Sequence, residues 1–386
     1  MRMKEVLLTG ATGFMGRALA DDLLRADPDL RLWALVRGTE ACGPLERPEI
    51  SSLAAHPRFR VLEGDVRLPG LGIDRVPGAP AVPEFDTCFH LAAATEFREA
   101  HREQTFLTNL QGTKNLLAFL RGCARPPRLY HVSTAFVQWQ GRESVREELL
   151  ADGPYSNAYE ESKHQAERAV ARSGMDWVII RPSILVGNSR TGESESDKMA
   201  YGALRSYWAF REFLRAREAE HGRTDSTQGP FRVLCSTEIR RNFLCVDDAT
   251  RLTVAIAAAH PEAETIVHVA NPATTNMQAC SEAALECLEF ESIALTPTIH
   301  GALCSEERML ARNLRLYGPY MTMQEPVFDL TNLRRIVGDA AVDSVAAPTP
   351  QLLRFLFGTH LRHWLDPQAI AWRRSASYPQ IAPQRR

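Results

Sequence analysis

Apolar positions along the first half of the chain switch between two periods. Short apolar runs of strand length open at Val6 and span 30–36, 59–63, 85–91, 128–132 and 177–180. Stretches with helical spacing lie between them, at 18–25, 109–120 and 158–172. Asp27 and Pro28 end the first helix, and a Pro/Gly-rich stretch at 68–83 reads as a surface loop. Strands alternating with helices at this spacing predict an α/β fold whose parallel sheet is covered on both faces.

The second half is less regular. Residues 198–223 predict a helix with Tyr201, Leu204, Trp208, Phe210, Phe213 and Leu214 on its apolar side and Arg205, Arg211, Arg215, Arg217 and Arg223 supplying charge. A strand and turn are expected at 263–277, and helices at 277–288 and 305–317. Residues 350–364 carry an apolar stripe (Leu352, Leu353, Phe355, Leu356, Leu361, Trp364) expected to pack on the main domain. Residues 222–229 read as a mobile connection and 375–386 as a frayed tail. A chain of 386 residues with this pattern predicts a first domain at 1–187, revisited at about 238–260, and a smaller lobe from 188–237 and 261–386.

Composition excludes more than it selects. A net charge of -2 with mixed signs gives no reason to expect nucleic acid. No apolar run is long enough to span a bilayer, and Met1 leads directly into a strand, so a cytoplasmic protein is expected. The cysteines (Cys42, Cys88, Cys123, Cys235, Cys245, Cys280, Cys287, Cys304) form no CxxC pair and read as reduced thiols. His260, His268 and His300 show no ligand spacing, and no metal site is expected.

The first strand runs into TGATGFMGR, with Gly10, Gly13 and Gly16 in GxxGxxG spacing. That arrangement suits a dinucleotide: a tight turn, backbone close to a pyrophosphate, and a helix N-terminus aimed at the phosphates. The sheet is therefore expected to be of the Rossmann type. An NAD enzyme places an acid at the end of the second strand to accept from the ribose 2′-hydroxyl. Here that end is Arg37, with no acid before Glu40. Arg37, helped by Arg17, would suit a 2′-phosphate, so NADPH is the expected cofactor; the plain alternative is two solvated arginines. Asp65 either accepts from the adenine amino group or serves as a turn residue.

Tyr159 and Lys163 stand at i and i+4, one turn apart on a helix face, and Thr134 ends the fifth strand. A nearby ammonium favours phenolate and would make the phenol a better acid. A hydroxyl can hold a carbonyl oxygen that becomes an oxyanion.

These motifs, with GDV (64–66), HLAA (90–93), NLQGTKNLL (109–117) and RPSILVG (181–187), resemble the extended short-chain dehydrogenase/reductase family. ALVR (34–37), HVSTAFV (131–137), RPSILVGNSRTGE (181–193), NFLCVDDAT (242–250) and EPVFDLTNLRRIVG (325–338) are similar to its thioester-reductase and fatty acyl-CoA reductase branch. The resemblance implies Thr134 as hydroxyl donor, Tyr159 as acid/base, Lys163 as ribose anchor, and Asn109 supporting the lysine or a relay water. It implies a cofactor site of Gly10, Thr12, Gly13, Phe14, Met15, Gly16, Arg17, Arg37, Asp65, Val66, Ala92, Ala93, Ala94, Lys163, Pro182 and Ser183. The expected activity is NADPH-dependent reduction of an acyl thioester, supplied in trans on coenzyme A or a carrier protein, to an aldehyde, with onward reduction to alcohol open. The arginines of 198–223 would then either face solvent or meet the phosphates of that carrier. A hydroxyl/ketone dehydrogenase, a sugar-nucleotide epimerase and a cofactor-sensing protein are the alternatives.

Overall fold

The computed structural model describes residues 3–38, 43, 47–75, 82–137, 139–221, 230–236 and 238–366. Seven parallel strands form its centre: β1 (Glu5–Thr9), β2 (Arg31–Val36), β3 (Phe59–Glu63), β4 (Thr87–His90), β5 (Arg128–Val132), β6 (Trp177–Pro182) and β7 (Thr265–Val269), in the order β7-β6-β5-β4-β1-β2-β3. The chain starts mid-sheet, winds out to β3, and returns through β4 to build the other half. The strand order therefore reverses between β1 and β4, where Thr9 lies opposite His90. In open sheets of this kind ligands bind at the carboxyl ends of the strands beside that reversal.

Both faces of the sheet are buried, which is why the strands read as continuous apolar runs. Leu7, Leu62, Cys88, Leu129 and Ile179 pack against Leu116 and Leu120 of α2 (Gly112–Arg121) and Val170 of α3 (Ala158–Ala171). Val6, Leu8, Phe89, Tyr130 and Val178 pack against Leu19 and Leu23 of α1 (Phe14–Ala26), with Leu252 and Ile256 of Val246–Ala259 on the same side. Each fully buried large apolar side chain contributes about 1.5–3 kcal/mol. Two residues further along five strands the first face turns polar: Thr9, His90, His131, Arg181 and His268 are all buried there.

The second lobe is built from α4 (Met199–His221), α5 (Met277–Cys287), α6 (Ser305–Leu314) and α7 (Pro350–Leu365) around Tyr201, Leu204, Phe210, Leu310, Leu353 and Phe357.

The expected strands at 59–63 and 128–132 are reproduced to the residue. Four expectations are corrected. Thr265–Val269 is the edge strand β7, so the lobe does not begin at 261; pairing with β6, a non-local event, decides this. The 68–83 stretch is not all surface loop, because Leu71 and Ile73 are buried under the sheet. Helix begins before 109, through Arg102–Phe106 and a π turn at Leu107–Gln111. The stripe at 350–364 packs on α5 and α4 rather than on the main domain, and Phe357 is buried while Phe355 is exposed.

Four arginines of α4 are tied within the lobe. Arg205 lies over Trp364, Arg211 donates to the Leu288 carbonyl, Arg215 pairs with Glu212, and Arg217 pairs with Glu306. Arg223, Glu40, Cys42 and the segments 222–229 and 375–386 lie outside the described residues. The other cysteines are free thiols. Among the described residues no helix is long and apolar enough to cross a membrane, and no cluster of His, Cys, Asp or Glu could hold a metal ion.

Candidate active site

The turn after β1 is shaped by two close approaches. Gly10 has φ +80, and a Cβ there would lie 2.6 Å from the Ala92 nitrogen; a Cβ at Gly16 would collide with the Gly10 carbonyl. Gly13 caps α1 without any side-chain hydrogen bond, and no acid stands in the first turn. The leading N–H groups and the positive end of the helix dipole are thus left for an anion.

Tyr159 and Lys163 are both presented by α3. Asn157 caps this helix by accepting from the Glu160 N–H at 3.0 Å, and Glu160 reaches back to accept from the Ser156 N–H at 2.8 Å. These bonds set the first turn, which carries Tyr159, with Lys163 one turn on. The Lys163 ammonium is buried and donates to the Val132 carbonyl at the end of β5, 2.6 Å away. Burial brings its pKa down to about 8, with Glu167 opposing the shift. Thr134, just past β5, accepts from the Phe136 N–H at 3.2 Å, and its hydroxyl acts on the Tyr159 phenol to favour the ionised form. Burial nevertheless pushes that phenol well above its ordinary value, and the Glu160 charge adds to the rise. The expected lowering by the ammonium is not found, because burial dominates the shift and Lys163 is not among the groups that act on the phenol. The phenol is consequently a fully protonated donor.

Gly10, Gly13, Phe14, Met15, Gly16, Ala93, Thr134, Tyr159, Lys163, Pro182 and Ser183 line one cavity of about 290 Å³. The Ser183 hydroxyl is buried there without a hydrogen-bond partner. An uncapped helix, a glycine cradle and this orphaned hydroxyl fit the pyrophosphate and nicotinamide ends of a dinucleotide.

Thr12, Arg17, Arg37, Asp65, Val66, Ala92, Ala94 and Asn109 do not line that cavity. Arg17 is paired with Glu195. Asp65 accepts from the Arg67 backbone N–H at 2.9 Å and from its guanidinium at 2.6 Å, as a turn residue does, and sits 3.8 Å from Arg37. Val66 is buried, and its carbonyl accepts from Asn115. The Ala92 N–H donates to Thr9 at 3.2 Å. Asn109 makes no hydrogen bond to Lys163. Its amide exchanges bonds with both backbone groups of Ala94 (2.7 and 3.1 Å) and donates to Ser162 at 2.9 Å, stapling the turn after β4 to the catalytic helix.

Sequence reasoning missed Thr95, Phe97, Phe136, Ser196, Lys198, Met199 and Tyr320 on the cavity wall. Only the last lies far along the chain. Its hydroxyl donates to Glu160 at 2.6 Å, and its ring stacks on Trp139 and Phe97. No local pattern announces such a pairing; the buried glutamate beside Tyr159, inside a helix, was the available signal.

The sheet order and the glycine turn are those of the extended short-chain dehydrogenase/reductase type, a class of oxidoreductases that use a nicotinamide cofactor. The family model described as male sterility protein, an NAD-binding domain, matches residues 8–226, and the chain belongs to that family. It is similar to a nonribosomal peptide synthetase of Emericella nidulans (29% identity over 227 residues, 51% of this chain and 3% of the relative). It is also similar to fatty acyl-CoA reductase 1 of Gallus gallus (29% over 225 residues, 47% of this chain and 43% of the relative). The chain thus spans less than half the length of these curated relatives. Among solved structures, the terminal R domain of the myxalamid PKS-NRPS pathway has the same fold, with TM-score 0.72 and 22% identity over 94% of this chain and 92% of that one.

Proposed function

We propose that the protein reduces an acyl thioester, carried by coenzyme A or a carrier protein, to an aldehyde at the expense of NADPH. The observation that carries this reading is the single cavity in which the glycine turn, Thr134, Tyr159 and Lys163 meet. The relatives' names, a fatty acyl-CoA reductase and a peptide synthetase, support the thioester as substrate class.

The glycine turn and the first turn of α1 would hold the pyrophosphate, Lys163 the ribose, and Pro182 and Ser183 the nicotinamide, which when bound supplies a hydride. Thr134 and Tyr159 hold the thioester oxygen. As negative charge grows there, Tyr159 donates its proton, giving a hemithioacetal. The hydroxyl proton then returns to Tyr159, the C–S bond breaks, and the departing thiolate takes a proton from solvent. Incubation with NADPH and acyl-CoA or acyl-carrier thioesters is expected to release thiol and oxidise NADPH in equal amounts. Absence of both across chain lengths rejects the reading.

Arg37, exposed at the end of β2, is the residue assigned to a 2′-phosphate. A charge-assisted bond of about 1.5–3 kcal/mol corresponds to a KM effect of roughly tenfold or more. Arg37→Ala is accordingly expected to raise the KM for NADPH by about tenfold and leave that for NADH unchanged. Equal NADPH KM values for variant and wild type would remove the case for the phosphorylated cofactor.

A further inference from the structure

Behind the active-site cavity lies a second space of about 20 Å³, room for a single water-sized group. Ile184, Met199 and Tyr320 line both spaces and form the partition between them. Ala203, Phe243, Met277 and Met321 form much of the remaining wall. Arg241 also borders it, but its charge is spent elsewhere. Its Nε donates to the Tyr320 carbonyl at 2.6 Å and Nη1 to the Arg240 carbonyl at 2.8 Å; Nη2 donates to the Pro319 and Met323 carbonyls, and Glu325 lies 3.9 Å from Nη1. The Tyr317 phenol also borders the recess, which otherwise presents hydrocarbon and sulfur, so a water there would find fewer than the two to four polar partners it needs.

The two sides of the partition differ in stiffness. Tyr320 is anchored by Glu160 and stacked on Trp139, ring centroids 5.5 Å apart. Met199, the first residue of α4, holds φ +49, a left-handed conformation that non-glycine residues rarely adopt, and its unbranched thioether adapts readily to what lies against it. Met277 and Met321 line the recess and not the larger cavity, on the side away from the shared residues.

We propose that this recess receives the far end of an apolar acyl chain whose thioester lies at Tyr159 and Thr134. Met199 is the yielding side of its entrance, and Met277 with Met321 is the end wall that sets the longest chain accepted. The inference rests on the thioester-reductase reading and specifies its substrate: an unbranched, apolar acyl group of limited length. Each methylene that gains a buried place is worth about fourfold in kcat/KM.

The test compares wild type, Met277→Ala and Ala203→Leu, measuring kcat/KM with NADPH across straight-chain acyl-CoAs and the binding of dansylundecanoic acid by fluorescence. Met277→Ala is expected to extend the accepted series by about two methylenes, with a gain of about fourfold for each, and to tighten probe binding. Ala203→Leu is expected to shorten the series and weaken the probe. Identical chain-length profiles and probe affinities in the three folded proteins overturn the inference. A wild type that releases no thiol from any CoA or carrier thioester overturns the reductase reading instead. Probe binding then decides the recess: opposite responses of the two variants uphold it, and equal binding rejects it.

Discussion

Replacing Tyr159 by phenylalanine is expected to lower kcat by about 10²–10⁴, the usual worth of a positioned proton donor, or about 3–5 kcal/mol in the barrier. The substitution removes one oxygen and little else. The ring keeps its neighbour Phe97, 5.7 Å away between centroids, and the cap that sets the first turn of α3 is untouched. Affinity for NADPH is therefore expected to stay within about twofold, because the groups assigned to the cofactor are the glycine turn and Lys163. Stopped-flow NADPH oxidation with an acyl thioester, alongside cofactor titration by nucleotide fluorescence, separates the two effects. Turnover equal to wild type would show that another group protonates the oxygen. Because burial raises the phenol, its own ionisation is expected to impose no alkaline limb on kcat below about pH 10.

Removing the carboxylate of Glu167 should produce the largest loss of stability. Glu167 stands one turn after Lys163 on α3 and receives both arms of Arg181 from β6, at 2.9 and 2.6 Å; both side chains are fully buried. The guanidinium also donates to the Arg146 and Glu148 carbonyls, so it cannot leave to find water. Glu167→Ala strands that cation, at an expected cost of about 3–5 kcal/mol, read from the urea midpoint at constant m-value. A midpoint shift below 1 kcal/mol, on the order of a surface change, would contradict this account.

The pH dependence follows from the sign of the shift. Burial opposes ionisation of Glu167, but the Arg181 charge and its hydrogen bonds outweigh it and hold the carboxyl below its ordinary value. A depressed acid stabilises the fold above its unfolded pKa and loses that contribution as pH falls through its folded value. The acid limb of the stability curve is expected to flatten in Glu167→Ala. Glu167 also opposes the effect of burial on Lys163, so the variant should lose the lysine's charge at a lower pH than about 8.

What could be read from the residues alone was what local chemistry dictates. Strand β5 is buried at every residue, and the edge strand β3 interleaves buried Phe59 and Leu62 with exposed Arg60 and Glu63, so their limits show in the pattern. The glycine turn and the Tyr159–Lys163 spacing are equally local. Contacts across long separations were not legible. Thr265–Val269 carries the same kind of apolar run as the other strands, and only its pairing with β6 assigns it to the main sheet. Arg17 meets Glu195, and Asn109 spends its amide on Ala94 and Ser162 with no hydrogen bond to the lysine. On α7 the stripe was recognised but its rotation was not: Phe357 points inward because α5 and α4 lie on that side, a fact of tertiary packing.

The bond from Tyr320 to Glu160 joins positions 160 residues apart, one beside the phenol proposed as proton donor and the other in the second lobe. Evolution or a protein engineer could not graft a foreign lobe onto this scaffold as a neutral module. A replacement lacking the tyrosine would leave the buried carboxylate beside Tyr159 with the Trp139 indole and the Ser156 N–H as its donors, one fewer than it has here, so hybrids between relatives are expected to keep their stability best when both residues are exchanged together.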